Sequence, residues 1–533
     1  MRRGALNAQP HMMQYRKLRA LAVVMLAAVI VAPQPSTSQA AKKKQTSSTT
    51  KKKAAPKKKA AAKKTVRKAA PRPAPVINAT SPRSAAALAS DLASFTSRVS
   101  DGSFGVMAVS LTREDTLFTH NAGTPLVPAS TMKMLTAAAV FERFGPRYRF
   151  STDVLHDGSL GQDGTLTGNV YLRGDGDPAL SGRYMTGGPE APMNYLADQL
   201  VARGVRRITG QIIGDDTAFD DRKIPEGWLT RYLQSGYAAR VSGLSLNENL
   251  VWVTIEPAGV RLEPATSAIP LTSNVRTVAG SGASLSVRRS SSGHISVSGT
   301  IGRNSPPRRY QYVVEDPASF ATGALHSALI AKGITVDGGI RMAKTPSNAQ
   351  KLASLESPTL DRIVATMNRA SINHFAELLL RNAARGPERD VQGTAARGQA
   401  LLRQFFAEKV KADTMQLQVA DGSGLSTLDR VTPRAMTQML GYAHRAEWGP
   451  WFHASLPVAG ESETMRRRMR GGQAQGNLHA KTGTTNDVVA LSGYVTAVNG
   501  EVIAFTFIYN GRNRAGARSM MDVMGQTLAN FGR

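Results

Sequence analysis

The sequence predicts an α/β protein of the α+β kind: one antiparallel sheet flanked by helices, interrupted by a large, mostly β insertion of one or two subdomains. Three observations predict it. A helix-strand-strand pattern fills residues 84–121, and a strand-strand-strand-helix pattern fills 478–531. Between about 150 and 340 the chain turns to β-branched runs and turn clusters such as Asp157-Gly158-Ser159. The two end patterns supply one sheet with its terminal helices, and the middle block is inserted between them.

The chain has 533 residues and is 41% hydrophobic, enough for two or three domains with cores. Its formal charge of +29 is unevenly spread. Residues 1–41 carry five basic residues and 42–72 carry fourteen, with no acid in either stretch, so the remainder is only mildly basic. The absence of cysteine excludes disulfide scaffolds, thiol nucleophiles and cysteine-zinc sites.

The order of segments follows. Arg16-Lys17-Leu18-Arg19 precedes an apolar run from Ala20 to Ala32 and a small-residue end at Ala40-Ala41. That is the pattern of a secretory signal over 1–40, and the run is shorter than the roughly 20 residues of a membrane span. An exported, periplasmic location is expected, with cleavage after Ala40. Residues 41–83 form a Lys/Ala/Pro-rich tail with almost nothing to bury, expected to be disordered. Such a tail suits a solvated tether that can contact an anionic wall polymer or a membrane surface; behind an export signal, nucleic acid is not the expected partner. Residues 84–149 are expected to open the sheet domain, 150–344 to form the insertion, and 345–533 to complete the sheet domain.

Within these segments, residues 84–99 have helical spacing, and Phe104–Leu111 and Thr116–Asn121 read as a hairpin. A helix follows Pro128-Ala129 and stops at Gly145-Pro146. In the middle block, a helical interlude near Met193–Arg203 interrupts strand-like runs that include Leu250–Glu256, Ile295–Thr300 and Tyr310–Glu315. Helices return at Phe320–Lys332, Leu360–Asn368, Asn373–Ala384, 394–409 and 433–446. The last strands, Val488–Thr496 and Val502–Tyr509, are joined through Asn499-Gly500, a hairpin signal, before a final helix from Ala515.

Three short motifs carry the candidate chemistry. Ser130 and Lys133 stand three apart and therefore share one helix face, placing an amine beside a hydroxyl. A lysine whose pKa is lowered by burial or by a neighbouring cation can take the proton of a serine nucleophile. The same spacing recurs in Ser48-Thr49-Thr50-Lys51, inside the low-complexity tail. Ser371-Ile372-Asn373 breaks two helices and can lift two polar side chains into a cleft; its counterpart Ser245-Leu246-Asn247 leads into a strand of the middle block, so Ser371 is preferred. Lys481-Thr482-Gly483-Thr484 lies on a late strand, where a lysine and threonines suit a substrate carboxylate and glycine admits a close ligand backbone. His479 shares the strand face of Lys481, and capping the sheet edge is its preferred reading over reaching the cleft.

In this order the three motifs resemble the penicillin-binding protein and serine β-lactamase superfamily. The 241-residue step from Ser130 to Ser371 is similar to the D-alanyl-D-alanine carboxypeptidase/endopeptidase family, peptidase family S13 (the low-molecular-mass class C penicillin-binding proteins). Leu172–Pro178, Ser245–Asn249 and Asp421–Ser426 resemble it too, and the likeness runs from about residue 84 to the end.

The resemblance implies a serine β-lactamase/transpeptidase-like domain and a serine D-Ala-D-Ala carboxypeptidase or D,D-endopeptidase working on peptidoglycan stem peptides. Ser130 would attack, and Lys133 would accept its proton with a pKa held down by Lys481. Ser371 would relay a proton to the leaving D-alanine, and Asn373 would grip the substrate amide and Lys133. Backbone N–H groups of Ser130 and Thr484 would hold the oxyanion, and Lys481, Thr482 and Thr485, with Gly483 between, would hold the terminal carboxylate. No metal or organic cofactor is implied, and β-lactams are implied ligands. The base for deacylation and the oligomeric state stay open. The competing readings are a β-lactamase and a non-catalytic peptidoglycan-binding protein.

Overall fold

The computed structural model describes residues 77–387 and 391–533, so the signal-like stretch and most of the Lys-rich tail lie outside the described residues. The end of that tail, expected to be disordered, instead packs on the final helix, where the Thr80 N–H donates to Thr527 Oγ1 and the Thr80 carbonyl accepts from Asn530 Nδ2. Among the described residues no helix is long and apolar enough to cross a membrane.

A five-stranded sheet runs in the order Thr116–His120, Gly102–Ser110, Val502–Gly511, Val488–Thr496 and His479–Thr484. Every neighbouring pair is antiparallel, and Gly102–Ser110 joins Val502–Gly511 in unbroken register from Gly102↔Gly511 to Ser110↔Ile503. The chain's two ends thus build one sheet. Alternation along the strands divides the core in two. Phe505 and Phe507 face the terminal helices Ala85–Thr96 and Arg514–Asn530, packing with Leu88, Leu92, Met521 and Leu528. Ala504 and Ile508 face the other way, toward Leu135, Phe375, Met436 and Leu440 of three further helices. Each such apolar side chain fully buried contributes about 1.5–3 kcal/mol, which is what holds the helices on both faces.

The middle block has its own core, in which Val154, Leu172, Ile212, Val253, Phe320 and Leu352 are buried together. It contains more than β hairpins. One five-stranded sheet has the order Ile340–Met342, Ile212–Asp215, Val170–Arg173, Ser151–His156 and Gln350–Glu356. Its first three strands are parallel. Helices Ala191–Ala202 and Pro317–Ala331 lie between these strands in sequence. Gln350–Glu356, expected in the closing part of the sheet domain, instead pairs with Ser151–His156, so this sheet continues past residue 344. A four-stranded sheet in the order Thr335–Val336, Arg207–Ile208, Thr165–Thr167 and Ser159–Leu160, and two three-stranded sheets, one built around Leu250–Glu256 and the other around Ile295–Gly302, also belong to the block.

Candidate active site

The serine motif begins in a single tight turn, Ala129–Thr131, that runs into the helix Met132–Phe144. Ala129 has φ +47°, a left-handed conformation that costs an alanine roughly 1–2 kcal/mol. Two glycines press against this turn. A Cβ on Gly424 would stand 1.9 Å from the Ala129 carbonyl oxygen, and one on Gly483 would stand 2.7 Å from that of Pro128. Only glycine lets both the 421–426 loop and the Lys481 strand close on the serine.

Lys133 is wholly buried. Its Nζ lies 3.0 Å from Ser130 Oγ, 2.5 Å from Asn373 Oδ1 and 2.7 Å from the Ser423 carbonyl oxygen. A neutral amine has two N–H donors and one lone pair. Here two neighbours are pure acceptors and take the donors, which leaves the lone pair for the Ser130 hydroxyl. Burial pushes the Lys133 amine from 10.5 down to about 8, against the opposing pull of Asp421, Glu377 and Asp429. Of the two expected causes, burial and a neighbouring cation, burial comes first. Lys481, also fully buried, is pushed well below its ordinary value by burial and then by the Lys133 charge. The two amines therefore titrate as a coupled pair.

Lys481 Nζ donates to Ser371 Oγ at 2.8 Å and to the Thr482 carbonyl at 2.9 Å. Ser371 caps the helix Leu360–Ala370 with φ +56°, and this left-handed step turns its side chain toward Lys481 while the next helix begins at Asn373. Asn373 is nearly buried, and its Nδ2 donates to the Tyr237 carbonyl at 2.8 Å, a contact supplied by the middle block. Thr482 is half-buried, Gly483 buried, Thr484 exposed and Thr485 half-buried along the mouth of the strand. The structure thus joins Ser130, Lys133 and Asn373 in one set of contacts and Ser371 and Lys481 in another, with Gly483 packed on the serine turn. His479 stands apart from these contacts: its ring packs 4.3 Å from His453, at the end of the sheet.

Sequence reasoning named Asp421–Ser426 as a family-like segment but gave it no role. In the fold it is the floor of the site. The Asp421 carboxylate accepts the N–H groups of Ser423, Gly424, Leu425 and Ser426, the Ser423 hydroxyl at 3.0 Å and the Trp228 indole N–H at 2.7 Å. That wrapping aims the Ser423 carbonyl at Lys133. Glu377, one turn after Asn373, accepts the Gly422 N–H, and burial and Asp421 push its carboxyl up to about 8. Asp429 accepts the N–H groups of Ala420 and Asp421, and burial with the Asp421 charge pushes it well above the usual range. The signal available in sequence was an Asp-Gly-Ser-Gly turn with a second aspartate eight residues on, which by itself reads as an ordinary loop.

Among the described residues, no group of three or more His, Cys, Asp or Glu side chains is arranged to hold a metal ion. The arrangement offers a buried general base against a half-buried serine, and a second lysine–serine pair beside a strand edge.

Comparison with known proteins gives the family and the fold. The D-Ala-D-Ala carboxypeptidase 3 (S13) family model matches residues 85–531. A D-alanyl-D-alanine carboxypeptidase of Actinomadura sp. is 32% identical over 449 residues, covering 80% of this chain and 81% of its own length. D-alanyl-D-alanine carboxypeptidase DacB of Haemophilus influenzae is 26% identical over 441 residues, covering 79% and 88%. Crystallised penicillin binding protein 4 (dacB) of the same organism shares the fold with a TM-score of 0.69 at 23% identity, over 83% of this chain and 98% of that one. The chain belongs to the D-Ala-D-Ala carboxypeptidase 3 (S13) family.

Proposed function

We propose that this protein is a penicillin-sensitive serine D-Ala-D-Ala carboxypeptidase and D,D-endopeptidase of peptidoglycan stem peptides, acting through an acyl-enzyme on Ser130. The observation that carries the reading is the Lys133 amine 3.0 Å from the Ser130 hydroxyl, with hydrogens donated to Asn373 and the Ser423 carbonyl, so that once deprotonated it turns its lone pair on Ser130.

In the forward step Ser130 Oγ attacks the carbonyl between the two D-alanines, and its proton passes to Lys133. Backbone N–H groups of Ser130 and Thr484 hold the developing oxyanion. The C–N bond then breaks, and the proton that Lys133 took is relayed through Ser371, which Lys481 holds by its 2.8 Å contact, to the departing D-alanine, leaving Lys133 free to accept again. Lys481, Thr482 and Thr485 receive the terminal carboxylate, and Gly483 leaves room for the peptide backbone. Asn373, released from the Tyr237 carbonyl or sharing with it, holds the substrate amide. Water ends the cycle, with Lys133 again placed to take a proton. Cutting a cross-bridge uses the same acyl-enzyme with a different leaving amine. A β-lactam acylates the same serine, and slow release makes it an inhibitor.

The remaining organisation belongs to the same proposal. Residues 1–40 direct export, 41–83 tether the enzyme to anionic wall polymer or membrane surface, and the block from about 150 is inserted between the two parts of the catalytic domain, 84–149 and a part completed by 533. A β-lactamase and a non-catalytic wall-binding protein are the competing readings.

Intact mass after incubation with benzylpenicillin separates the three. A lasting one-to-one adduct on the parent, absent from Ser130→Ala, supports the peptidase. Fast drug hydrolysis without adduct supports the β-lactamase, and neither event in folded protein supports wall binding.

A further inference from the structure

The parallel strands Val170–Arg173, Ile212–Asp215 and Ile340–Met342 of the middle block end together, and ligands of open α/β sheets collect outside such carboxyl ends. A cavity of about 170 Å³ lies there, lined by the residues that follow each strand and by Arg385, the last residue of the helix that starts at Asn373.

The polar groups around it are unbalanced. Its carboxylates are already committed. Asp175 takes Arg385 Nη1 at 2.5 Å, and Asp215 accepts the Thr217 N–H and hydroxyl on one oxygen and the Thr345 N–H on the other. Donors remain unanswered. Among the described residues, Arg385 Nε, Arg173 Nε and Thr345 Oγ1 have no hydrogen-bond partner although they are buried, with Arg385 6% and Thr345 7% exposed. At the rim, exposed Lys344 makes no ion pair among the described residues. A buried donor left without an acceptor forfeits its hydration unrepaid, so a cavity rich in such donors is arranged for an acceptor it does not itself contain.

We propose that this cavity is a binding site for a small oxyanion, a carboxylate or a phosphate group, held by Lys344, Thr345 and Arg385 with Arg173 beside them. Bound there, the anion ties the loops of the middle block to the helix that carries Asn373 at its other end. The site is separate from the Ser130 cleft and does not depend on its chemistry.

The test is thermal unfolding of the full-length chain titrated with inorganic phosphate and, separately, with sodium acetate, each against sodium chloride at matched ionic strength. Variants Lys344→Ala and Thr345→Val are run alongside. The proposal expects the unfolding temperature to rise with at least one of the two anions beyond chloride, and the half-saturating concentration to increase at least about fivefold in each variant. A response to phosphate alone assigns a phosphate source, and a response to acetate alone assigns a carboxylate. No rise beyond chloride in the parent overturns the proposal. So does a parent-like response in the variants, because the anion is then held elsewhere, as on the Lys-rich tail. Should Thr345→Val fail to fold, Lys344→Ala decides alone, since its side chain is exposed and free of ion pairs.

Discussion

Replacing Asp421 by asparagine tests whether the loop beneath Lys133 is held by charge. One carboxylate oxygen accepts the N–H groups of Ser423 and Gly424; the other accepts those of Leu425 and Ser426, the Ser423 hydroxyl and the Trp228 indole. An amide keeps one acceptor oxygen and places an NH₂ where the other stood. Whichever way it turns, at least two buried N–H donors then face another donor. At about 1–3 kcal/mol for each donor left unsatisfied, Asp421→Asn costs about 2–6 kcal/mol, a large share of a typical folding stability of about 5–15 kcal/mol. The catalytic effect has a separate signature. Asp421 is the first of the charges that raise the Lys133 pKa, so its removal moves the acid limb of the acylation profile to lower pH. Urea unfolding gives the first quantity, and benzylpenicillin acylation rates against pH give the second. A variant within about 0.5 kcal/mol of the parent, the ordinary range for surface substitutions, with an unmoved acid limb would refute the reasoning.

Further outcomes are expected of the parent and its variants. Acylation of the parent rises as pH increases through about 8, where Lys133 loses its proton, and a rate flat across that range counts against Lys133 as the base. Lys133→Met, which keeps the side-chain volume, lowers acylation by about 10²–10⁴-fold, read by mass spectrometry of the adduct. Glu377 has a folded pKa raised from 4.5 to about 8, so its contribution to stability is full below 4.5 and is lost as pH rises through about 8. Glu377→Gln keeps an acceptor for the Gly422 N–H, and its urea-unfolding free energy is therefore expected to fall less than the parent's between those two values. Gly424→Ala puts a Cβ 1.9 Å from the Ala129 carbonyl at a residue with φ +78°, and is expected to lose about 2–5 kcal/mol of stability together with acylation.

How much of this was legible in the sequence depends on what each element advertises. The outer sheet was, because Phe104–Leu111 and Thr116–Asn121 read as a hairpin and an Asn-Gly turn joins the strand-like runs Val488–Thr496 and Val502–Tyr509. The three motifs were, because each pairs residue types whose chemistry needs the others. The parallel strands of the middle block were not. Val170–Arg173, Ile212–Asp215 and Ile340–Met342 are three or four residues long, and such short apolar runs show neither a period of two nor a helical one. Nor was Ser371's left-handed turn, since serine carries no mark of positive φ as glycine does. The carboxylates beneath Lys133 were hidden for a similar reason. Nothing in the sequence marks Asp421, Asp429 or Glu377 as buried, and only burial turns them into neighbours of a buried amine. Burial also explains the Lys133 pKa, one of the two causes open at the sequence level, the charge of Lys481 being the one the family resemblance implied.

The measurement that meets the central claim most directly is release of D-alanine from an N-acylated peptide ending in D-alanyl-D-alanine. It is followed in the parent, in Ser130→Ala and in Lys133→Met, each first shown to be folded by circular dichroism. The account predicts steady release by the parent, none above background from Ser130→Ala, and a loss of about 10²–10⁴-fold in Lys133→Met. Release at the parent rate by folded Ser130→Ala or Lys133→Met would contradict it, because the bond would then be broken without the pair on which the site is built.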